Sequence, residues 1–221
     1  MTRETAARPR RLRPDLWIFP PNRLAAGATA WLLLHADGPV LIDPPAAGEH
    51  ALALLDSLAA ANGRILLTSR LGHAGLAPIQ AVLDWPVLVQ EQEAYLLPGN
   101  PALQPFAEEL ALAADLRLHW AQGPTPGSCV LHAGGPHRIL FCGRLLLPAP
   151  GGELRPVAGA TTFHWPRQLR SLRHLSSRLA DAWPLSIASG GASVAAGADP
   201  LVPCAGPLPG TGPEWEAGCS L

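Results

Sequence analysis

The residue types best suited to chemistry follow a short apolar segment in the first half of the chain. Ile65-Leu66-Leu67 leads to Thr68, and the next residues include Ser69, Arg70 and His73 before a helical pattern begins. A buried strand, a loop and a helix fit this order. Loops at the carboxyl ends of strands are where ligands and chemistry usually lie in α/β proteins, so the sequence predicts a site here.

The sequence gives little support for a catalytic role of either His73 or Ser69. His73 could act as a general base, but its neighbour Gly72 offers no carboxylate to orient the ring. Ser69 lies outside a G-x-S-x-G elbow and has no identifiable base, so a loop-capping serine is favoured over a nucleophile.

Three further segments have strand-and-turn patterns of the same kind. Residues 122–147 contain the turn Thr125-Pro126-Gly127-Ser128, two apolar runs around a Gly-Gly-Pro turn, and then Gly143-Arg144. Residues 185–191 are an apolar run that ends in two glycines, and Asp43 closes an earlier apolar run.

Together these segments resemble the metallo-β-lactamase superfamily. Its first motif, Thr-His-x-His-x-Asp-His-x-Gly, is matched by Thr68 and His73 if one residue is deleted after Leu71. Ser69 and Leu71 then stand at the first two histidine positions, and Gly72 stands at the aspartate position.

The second and third motifs of the superfamily are matched in the same partial way. In Gly-His-Thr-Pro-Gly-Ser, followed by strands that end in Thr-Gly-Asp, Pro124 stands for the histidine and Arg144 for the aspartate. In Pro-Gly-His-Gly, Gly190 stands for the histidine. The resemblance covers residues 15–191 and places Asp43 beside the site. It implies an α+β or α/β fold, the αββα four-layer sandwich of two facing mixed sheets with helices outside.

The resemblance also implies which positions would hold two metal ions, and these positions carry few donors here. They are Ser69, Leu71, Gly72, His73, Pro124, Arg144 and Gly190. His73 is the one strong donor among them, whereas catalytic zinc normally has three protein ligands. We therefore predict vestigial site loops with no metal and no catalytic residue, and keep zinc or iron as the alternative.

Arg144 changes the electrostatics expected at this site. A guanidinium where the superfamily has a bridging carboxylate repels divalent cations and needs an acceptor. Asp43 is the candidate ion-pair partner. If Asp43 does not reach it, Arg70, His73 and Arg144 could bind a small anion such as phosphate or carboxylate.

A metal site rebuilt elsewhere is the competing hypothesis. If Ala133 pairs with Arg138 in its hairpin, Cys129 faces Cys142, and two thiols become neighbours. His132 points to the other face of the strand, so buried core cysteines are favoured over ligands. Three other histidines show no ligand spacing and are predicted to be ordinary surface or half-buried residues: His119, His137 and His164.

Composition and charge indicate one globular domain. The chain has 221 residues, 48% hydrophobic content and a net charge of −1, which argues against a general nucleic-acid or membrane binder. We predict a basic arm over residues 1–14, the domain over 15–194, and a Gly-, Pro- and Ala-rich, disordered tail over 195–221. The arm is interpreted as a solvated tail, or alternatively as a docking arm for an acidic partner, through Arg3, Arg8, Arg10, Arg11 and Arg13.

Two further expectations concern the environment and one helix. No apolar run approaches the roughly 18 residues needed to span a bilayer, and no signal peptide or CxxC motif is present, so we expect a soluble cytoplasmic protein.

Residues 103–113 are predicted as a helix with Glu108 and Glu109 on its solvated surface.

These observations lead to one functional hypothesis and its rivals. The sequence predicts a metallo-β-lactamase-fold pseudoenzyme that has lost the dinuclear metal site and the hydrolase activity. It would act as a binding or interaction module for a small anionic ligand or a protein partner. The alternatives are a metal-dependent hydrolase with relocated ligands and a metal-free activity of Arg144 and His73. The sequence thus favours a protein without enzyme activity but does not decide the question.

Overall fold

The computed structural model describes residues 8–192, 199–204, 206–212 and 215, and within them two β-sheets pack face to face. The strands of the first sheet are β1 (Arg10–Arg13), β2 (Leu16–Ile18), β3 (Trp31–Leu33), β4 (Val40–Ile42), β5 (Arg64–Leu66), β6 (Val87–Gln90) and β7 (Leu103–Phe106). They lie in that order, antiparallel from β1 to β4 and parallel from β4 to β7.

The second sheet is also mixed. Its strands are β8 (Glu109–Ala113), β9 (Leu116–Trp120), β10 (Cys129–Ala133), β11 (Ile139–Gly143), β14 (Ser186–Ser189) and β15 (Leu201–Pro203), and a separate pair consists of β12 (Leu147–Pro148) and β13 (Leu154–Arg155). The order across the sheet is β15-β14-β11-β10-β9-β8. The β11 and β14 strands pair in parallel, and the other pairs are antiparallel.

The helices lie outside the two sheets. They are α1 (Glu49–Leu58), α2 (Leu76–Leu83), the short α3 (Glu91–Ala94) and α4 (Trp165–Arg178), with 3-10 helices at Arg23–Ala25 and Arg70–Gly75. The α1 and α2 helices cover the first sheet, and α4 covers the second. This arrangement of helix, sheet, sheet and helix confirms the predicted sandwich.

Alternating side chains of single strands build the separate layers of core. In β3, Trp31 and Leu33 point between the sheets, whereas Leu32 points to the helices of the first sheet. The Trp31 ring meets Phe141 of the second sheet edge to face, with ring centroids 6.0 Å apart. Because both faces of β3 are buried, its sequence is a continuous apolar run rather than an alternating one.

The predicted helix over residues 103–113 is wrong. The chain forms β7 and β8 there, on the edges of the two sheets. An edge strand tolerates Pro105, and Leu110 and Leu112 share one strand face that packs against the core between the sheets. Glu109 is not freely solvated, because it forms ion pairs with Arg117 and Arg178.

The ends of the chain are more structured than predicted. The last part of the arm, Arg10–Arg13, is strand β1 and pairs with β2, so it belongs to the sheet rather than to a solvated tail. In the predicted tail, Leu201–Pro203 is strand β15, and Leu208 is buried against α4. Arg3 and residues 193–198, 205, 213–214 and 216–221 lie outside the described part of the chain.

No helix within the described ranges combines the length and the apolar character needed to cross a bilayer.

Candidate functional site

The predicted site lies where β4, β5, β11 and β14 end, at one edge of the sandwich. We call this the site edge and define it by Asp43, Thr68, Gly143 and Gly190. Thr68 donates to the Asp43 carboxylate twice, from its amide nitrogen to Oδ1 at 2.8 Å and from its hydroxyl to Oδ2 at 2.5 Å. Asp43 itself has a left-handed backbone with φ of 58°, and its amide donates to Leu66. The carboxylate is thereby held inside the edge rather than presented to solvent.

Burial changes the acidity of this carboxyl group. Desolvation raises the pKa of Asp43 from 3.8 to about 6, although the two Thr68 hydrogen bonds and the Arg144 charge oppose the rise. Near neutral pH Asp43 therefore carries a buried negative charge that Thr68 stabilises.

Two glycines allow the loops of the site edge to approach closely. The Gly190 amide donates to the Gly143 carbonyl at 2.7 Å. A Cβ on Gly143, where φ is 52°, would lie 2.6 Å from the Thr68 hydroxyl oxygen, and one on Gly190 would lie 3.0 Å from the Gly143 oxygen. A histidine at 190 would therefore require this contact to open.

The loop after Thr68 forms a 3-10 helix over Asp43. A Cβ on Gly72 would lie 3.2 Å from Asp43 Oδ1, so the glycine places backbone directly against the carboxylate. His73 is half-buried, and its Nε2 is buried without a hydrogen-bond partner in the described residues. Burial lowers the pKa of His73, the Glu93 charge opposes this change, and the Arg70 charge adds to it. Ser69 is buried before this helix and makes no side-chain capping bond.

Glu93 is a buried acid at this edge that the sequence did not identify. Its Oε1 accepts from the Gly127 amide at 3.0 Å, and its Oε2 accepts from the Arg70 amide at 2.5 Å. The carboxylate thus joins the loop after β5 to the Thr-Pro-Gly-Ser turn before β10. No spacing signals this role, because the partners are backbone amides of distant loops.

A cavity of about 130 Å³ opens between the loops of the site edge. We call it the Arg144 pocket, and its lining residues are Leu71, Pro124, Arg144, Leu147, Val157, Gly159, Thr161 and Thr162. Three predicted positions, Leu71, Pro124 and Arg144, meet here from two separate motifs. The pocket has an apolar wall and one permanent cation.

The other predicted anion-binding residues do not line this pocket. Arg70 is exposed, and His73 lies by Glu93. Arg144 forms no ion pair with Asp43 within the described structure; its recorded contact is a 3.4 Å hydrogen bond to the Ala26 carbonyl. The Arg144 charge lowers the pKa of Asp43, but no hydrogen bond joins the two side chains among the described residues, and Thr68 donates to both Asp43 oxygens.

The favoured prediction of buried core cysteines is confirmed for Cys129 and Cys142, whereas the hairpin register considered for a rebuilt metal site is wrong by one residue. Ala133 pairs with Ile139 rather than with Arg138, because the turn is one residue longer than assumed. Cys129 consequently points into the core between the sheets, and Cys142 points to the α4 side. Burial raises the pKa of both thiols, that of Cys142 to about 12, so neither is poised as a thiolate ligand.

Two of the three predicted ordinary histidines are more buried than expected. His119 and His137 are 7% and 9% exposed, whereas His164 is exposed and caps α4. Both ring nitrogens of His119 are buried without a hydrogen-bond partner among the described residues, although Nδ1 lies 3.8 Å from Glu109 Oε2. The ring lies beside a cavity of about 160 Å³ between β9 and α4. Burial lowers the pKa of His119 to about 4.

The site-edge donors do not match what a two-metal centre requires. Leu71, Gly72, Pro124 and Gly190 have no side-chain donor, and Arg144 is a permanent cation. His73 and the Thr68-bound carboxylate of Asp43 are too few for the three protein ligands that catalytic zinc takes.

Comparison with solved structures agrees with this architecture. The chain is similar to a metallo-β-lactamase superfamily protein, ST1585, from the archaeon Sulfolobus tokodaii, with a TM-score of 0.56 and 16% identity over 80% of this chain and 79% of that one. It is similar to the DIM-1 metallo-β-lactamase, with a TM-score of 0.61 and 15% identity over 83% and 88% of the two chains. It also resembles a quorum-quenching N-acyl homoserine lactone hydrolase, with a TM-score of 0.59 and 14% identity over 80% and 91%.

Sequence-based comparison adds nothing to this assignment. A search against protein families finds no match for the chain, and a search of curated proteins finds none. The sheet order, the outer helices and these structural neighbours together show that the chain has the metallo-β-lactamase fold.

Proposed function

We propose that the chain is a binding protein without metal at the site edge, and that its Arg144 pocket takes a small carboxylate with a short apolar body. The observation that carries this proposal is Arg144 itself. It brings a permanent positive charge into the pocket, and within the described residues it has no carboxylate at ion-pair distance. A carboxylate ligand supplies a charged acceptor, whereas the acceptor seen here is the neutral Ala26 carbonyl at 3.4 Å.

The pocket walls favour a carboxylate with an apolar body over inorganic phosphate. Arg144 is the cation in the lining, and the wall around it contains Leu71, Pro124, Leu147 and Val157. Besides Arg144, the polar side chains of the lining are the hydroxyls of Thr161 and Thr162, and a phosphate dianion would need more donors and charge than these supply. A short alkyl chain, in contrast, buries apolar surface against the four apolar side chains. The volume of about 130 Å³ limits the ligand to a few heavy atoms, below the 300–1,000 Å³ of sites for drug-sized ligands.

Loss of hydrolase activity belongs to the same proposal. The superfamily's hydrolysis depends on water activated by metal, and a water that is not bound to metal stays near its bulk pKa. His73 could not replace that function easily, because its Nε2 is buried and burial lowers its pKa. We expect zinc-loaded protein to hydrolyse neither a β-lactam nor an acyl homoserine lactone. Hydrolysis that disappears in both Asp43→Asn and His73→Gln would contradict this part.

The binding proposal is tested by thermal unfolding of chelator-treated protein with millimolar butyrate or butanol. We expect butyrate, and not the neutral alcohol, to raise the Tm of the wild type. The rise should disappear in Arg144→Gln and persist in Arg155→Gln, which changes a surface arginine paired with Glu153. An equal response in Arg144→Gln, or an equal effect of butanol, would refute the proposed pocket.

A further inference from the structure

The edge of the sandwich opposite the site edge brings together histidines and aspartates from separate hairpin turns. Asp15 lies between β1 and β2, and His35 lies between β3 and β4, in the first sheet. Asp115 lies between β8 and β9, and His137 lies between β10 and β11, in the second sheet. We call these four residues the turn-edge cluster. It joins the two sheets at a place that the superfamily motifs do not involve.

The side chains of the cluster are close together, and its two histidines are buried. The side chains of His35 and His137 are 5% and 9% exposed. His35 Nε2 lies 3.0 Å from Asp115 Oδ1, and the two imidazole rings are 5.4 Å apart between centroids. One potential ligand atom from each of His35, Asp115 and His137 lies within 4.8 Å of the other two.

We propose that the turn-edge cluster is a zinc site with His35, Asp115 and His137 as ligands. Imidazole nitrogen and carboxylate oxygen are donors that zinc prefers, and three such ligands leave a fourth position for water. In a tetrahedral site with bonds of about 2.0–2.1 Å, ligand atoms lie about 3.3 Å apart. The 3.0 Å between His35 Nε2 and Asp115 Oδ1 is already close to this spacing.

Asp15 gives His137 the outer partner that metal-bound histidines usually have. Its Oδ2 lies 2.7 Å from His137 Nδ1. This contact places the ring proton on Nδ1 and leaves the Nε2 lone pair for a metal ion. A carboxylate behind a histidine ligand fixes the ring and raises its basicity as a ligand.

His35 requires one proton to change position. Its Nδ1 accepts from the Asp37 amide at 3.1 Å, so Nε2 carries the proton that lies towards Asp115. Zinc would take the place of that proton, which would move through solvent to Nδ1. Nδ1 would then donate towards the Asp37 carboxylate, 3.8 Å away, and the Asp37 amide would give up its bond to Nδ1 and turn to solvent. The ring is neutral before and after, so no proton is released.

The backbone around Asp115 is fitted closely to its carboxylate. The Gly134 amide donates to the Asp115 carbonyl at 2.7 Å. A Cβ on Gly135, where φ is 50°, would lie 2.3 Å from Asp115 Oδ2. The glycines of the β10–β11 turn thus let His137 and Asp115 approach each other. Asp115 is 30% exposed, which leaves the ion a route from solvent.

The first test is metal content of the untagged full chain, stripped with chelator, loaded with zinc chloride, desalted and analysed by plasma mass spectrometry. We expect about one zinc per chain in the wild type and in His73→Gln, and none in His35→Gln or His137→Gln. Asp15→Asn should bind zinc about 10–100-fold more weakly, as expected for an outer partner. No zinc in the wild type, or zinc lost in His73→Gln and kept in both turn-edge variants, would overturn the proposal.

Because His35 and His137 are buried, their variants could lose zinc by failing to fold. Circular dichroism identifies such a failure. X-ray absorption of the zinc-loaded wild type then identifies the atoms that bind the zinc without any variant. We expect a nitrogen and oxygen shell with imidazole scattering. A sulfur shell, or oxygen ligands alone, would overturn the assignment. Neither outcome depends on carboxylate binding in the Arg144 pocket.

Discussion

Thr68 holds the buried carboxylate of Asp43 through both of its oxygens, at 2.8 Å from the amide and 2.5 Å from the hydroxyl. This pair joins the ends of two parallel strands, β4 and β5, and Gly143 packs directly on the Thr68 hydroxyl. At the site edge, one residue of the neighbouring strand end thus donates to both oxygens of a buried carboxylate.

The pH dependence of stability should report on this carboxylate. Because the pKa of Asp43 is raised from 3.8 to about 6, the folded state holds a proton that the unfolded chain has released between these values. The contribution of Asp43 to the free energy of unfolding therefore falls as pH rises through this window, by up to about 3 kcal/mol. Asparagine cannot titrate. Urea denaturation measures the free energy of unfolding of Asp43→Asn and of the wild type. We expect the value for Asp43→Asn minus the value for the wild type to increase from pH 4 to pH 7. A difference that stays constant over this range would contradict the buried charge.

His119 should show the opposite trend in the same experiment. Its pKa is lowered from 6.5 to about 4, first by burial, so the unfolded chain binds more protons between these values. The contribution of His119 to stability is thus present above pH 6.5 and is lost as pH falls towards 4. The free energy of unfolding of His119→Gln minus that of the wild type should decrease as pH rises. A difference with the same sign of slope as Asp43→Asn would show that the ring is not desolvated.

Gly143→Ala tests the close contact at the centre of the site edge. Alanine would be strained at a φ of 52°, and its Cβ would lie 2.6 Å from the Thr68 hydroxyl oxygen. Gly99→Ala is the matched control, because φ is 75° and no atom lies within 4 Å of its added Cβ. We expect Gly143→Ala to lose about 1–3 kcal/mol more stability than the control, through displacement of the Thr68 hydrogen bond to buried Asp43. Equal losses would mean that the loop moves freely.

Glu93→Gln tests the link between the two site-edge loops. The amide nitrogen of glutamine cannot accept from Gly127 or Arg70 as the carboxylate does, so one hydrogen bond is lost. We expect a loss of about 1–3 kcal/mol in urea denaturation. The pKa of His73, followed by NMR, should fall further, because the Glu93 charge opposes its lowering. Glu91→Gln changes an exposed residue of the same helix, and a loss as large as that of Glu93→Gln would contradict the assigned role.

The sequence predicted the sandwich, because strand ends and turn glycines leave local patterns. The family resemblance named Leu71, Pro124 and Arg144 among the site positions, and these three line one pocket, whereas the anion-binding set of Arg70, His73 and Arg144 does not. The sequence did not predict Glu93, whose partners are amides in distant loops. Residues 103–113 are rich in alanine, leucine and glutamate, which favour a helix. They form strands because β7 pairs with β6 and β8 pairs with β9, and this tertiary pairing overrides the local preference.

The turn-edge cluster could not be read from spacing. His35 and Asp115 are 80 residues apart and meet only because the two sheets stack. His137 appeared ordinary because His35 and Asp115 approach it across the sandwich and not along one strand. A hairpin one residue longer than assumed also separated Cys129 from Cys142, since a change of one residue exchanges the faces of a strand.

We have proposed that the Arg144 pocket binds a small carboxylate without metal at the site edge. The most direct test of this proposal is an NMR titration of chelator-treated, ¹⁵N-labelled protein with butyrate, with butanol as the neutral control. We predict saturable shifts of the Leu71, Arg144 and Thr162 amides with butyrate alone, and none in Arg144→Gln. Shifts that avoid these residues, persist in Arg144→Gln or require added zinc would contradict metal-free carboxylate binding in the Arg144 pocket.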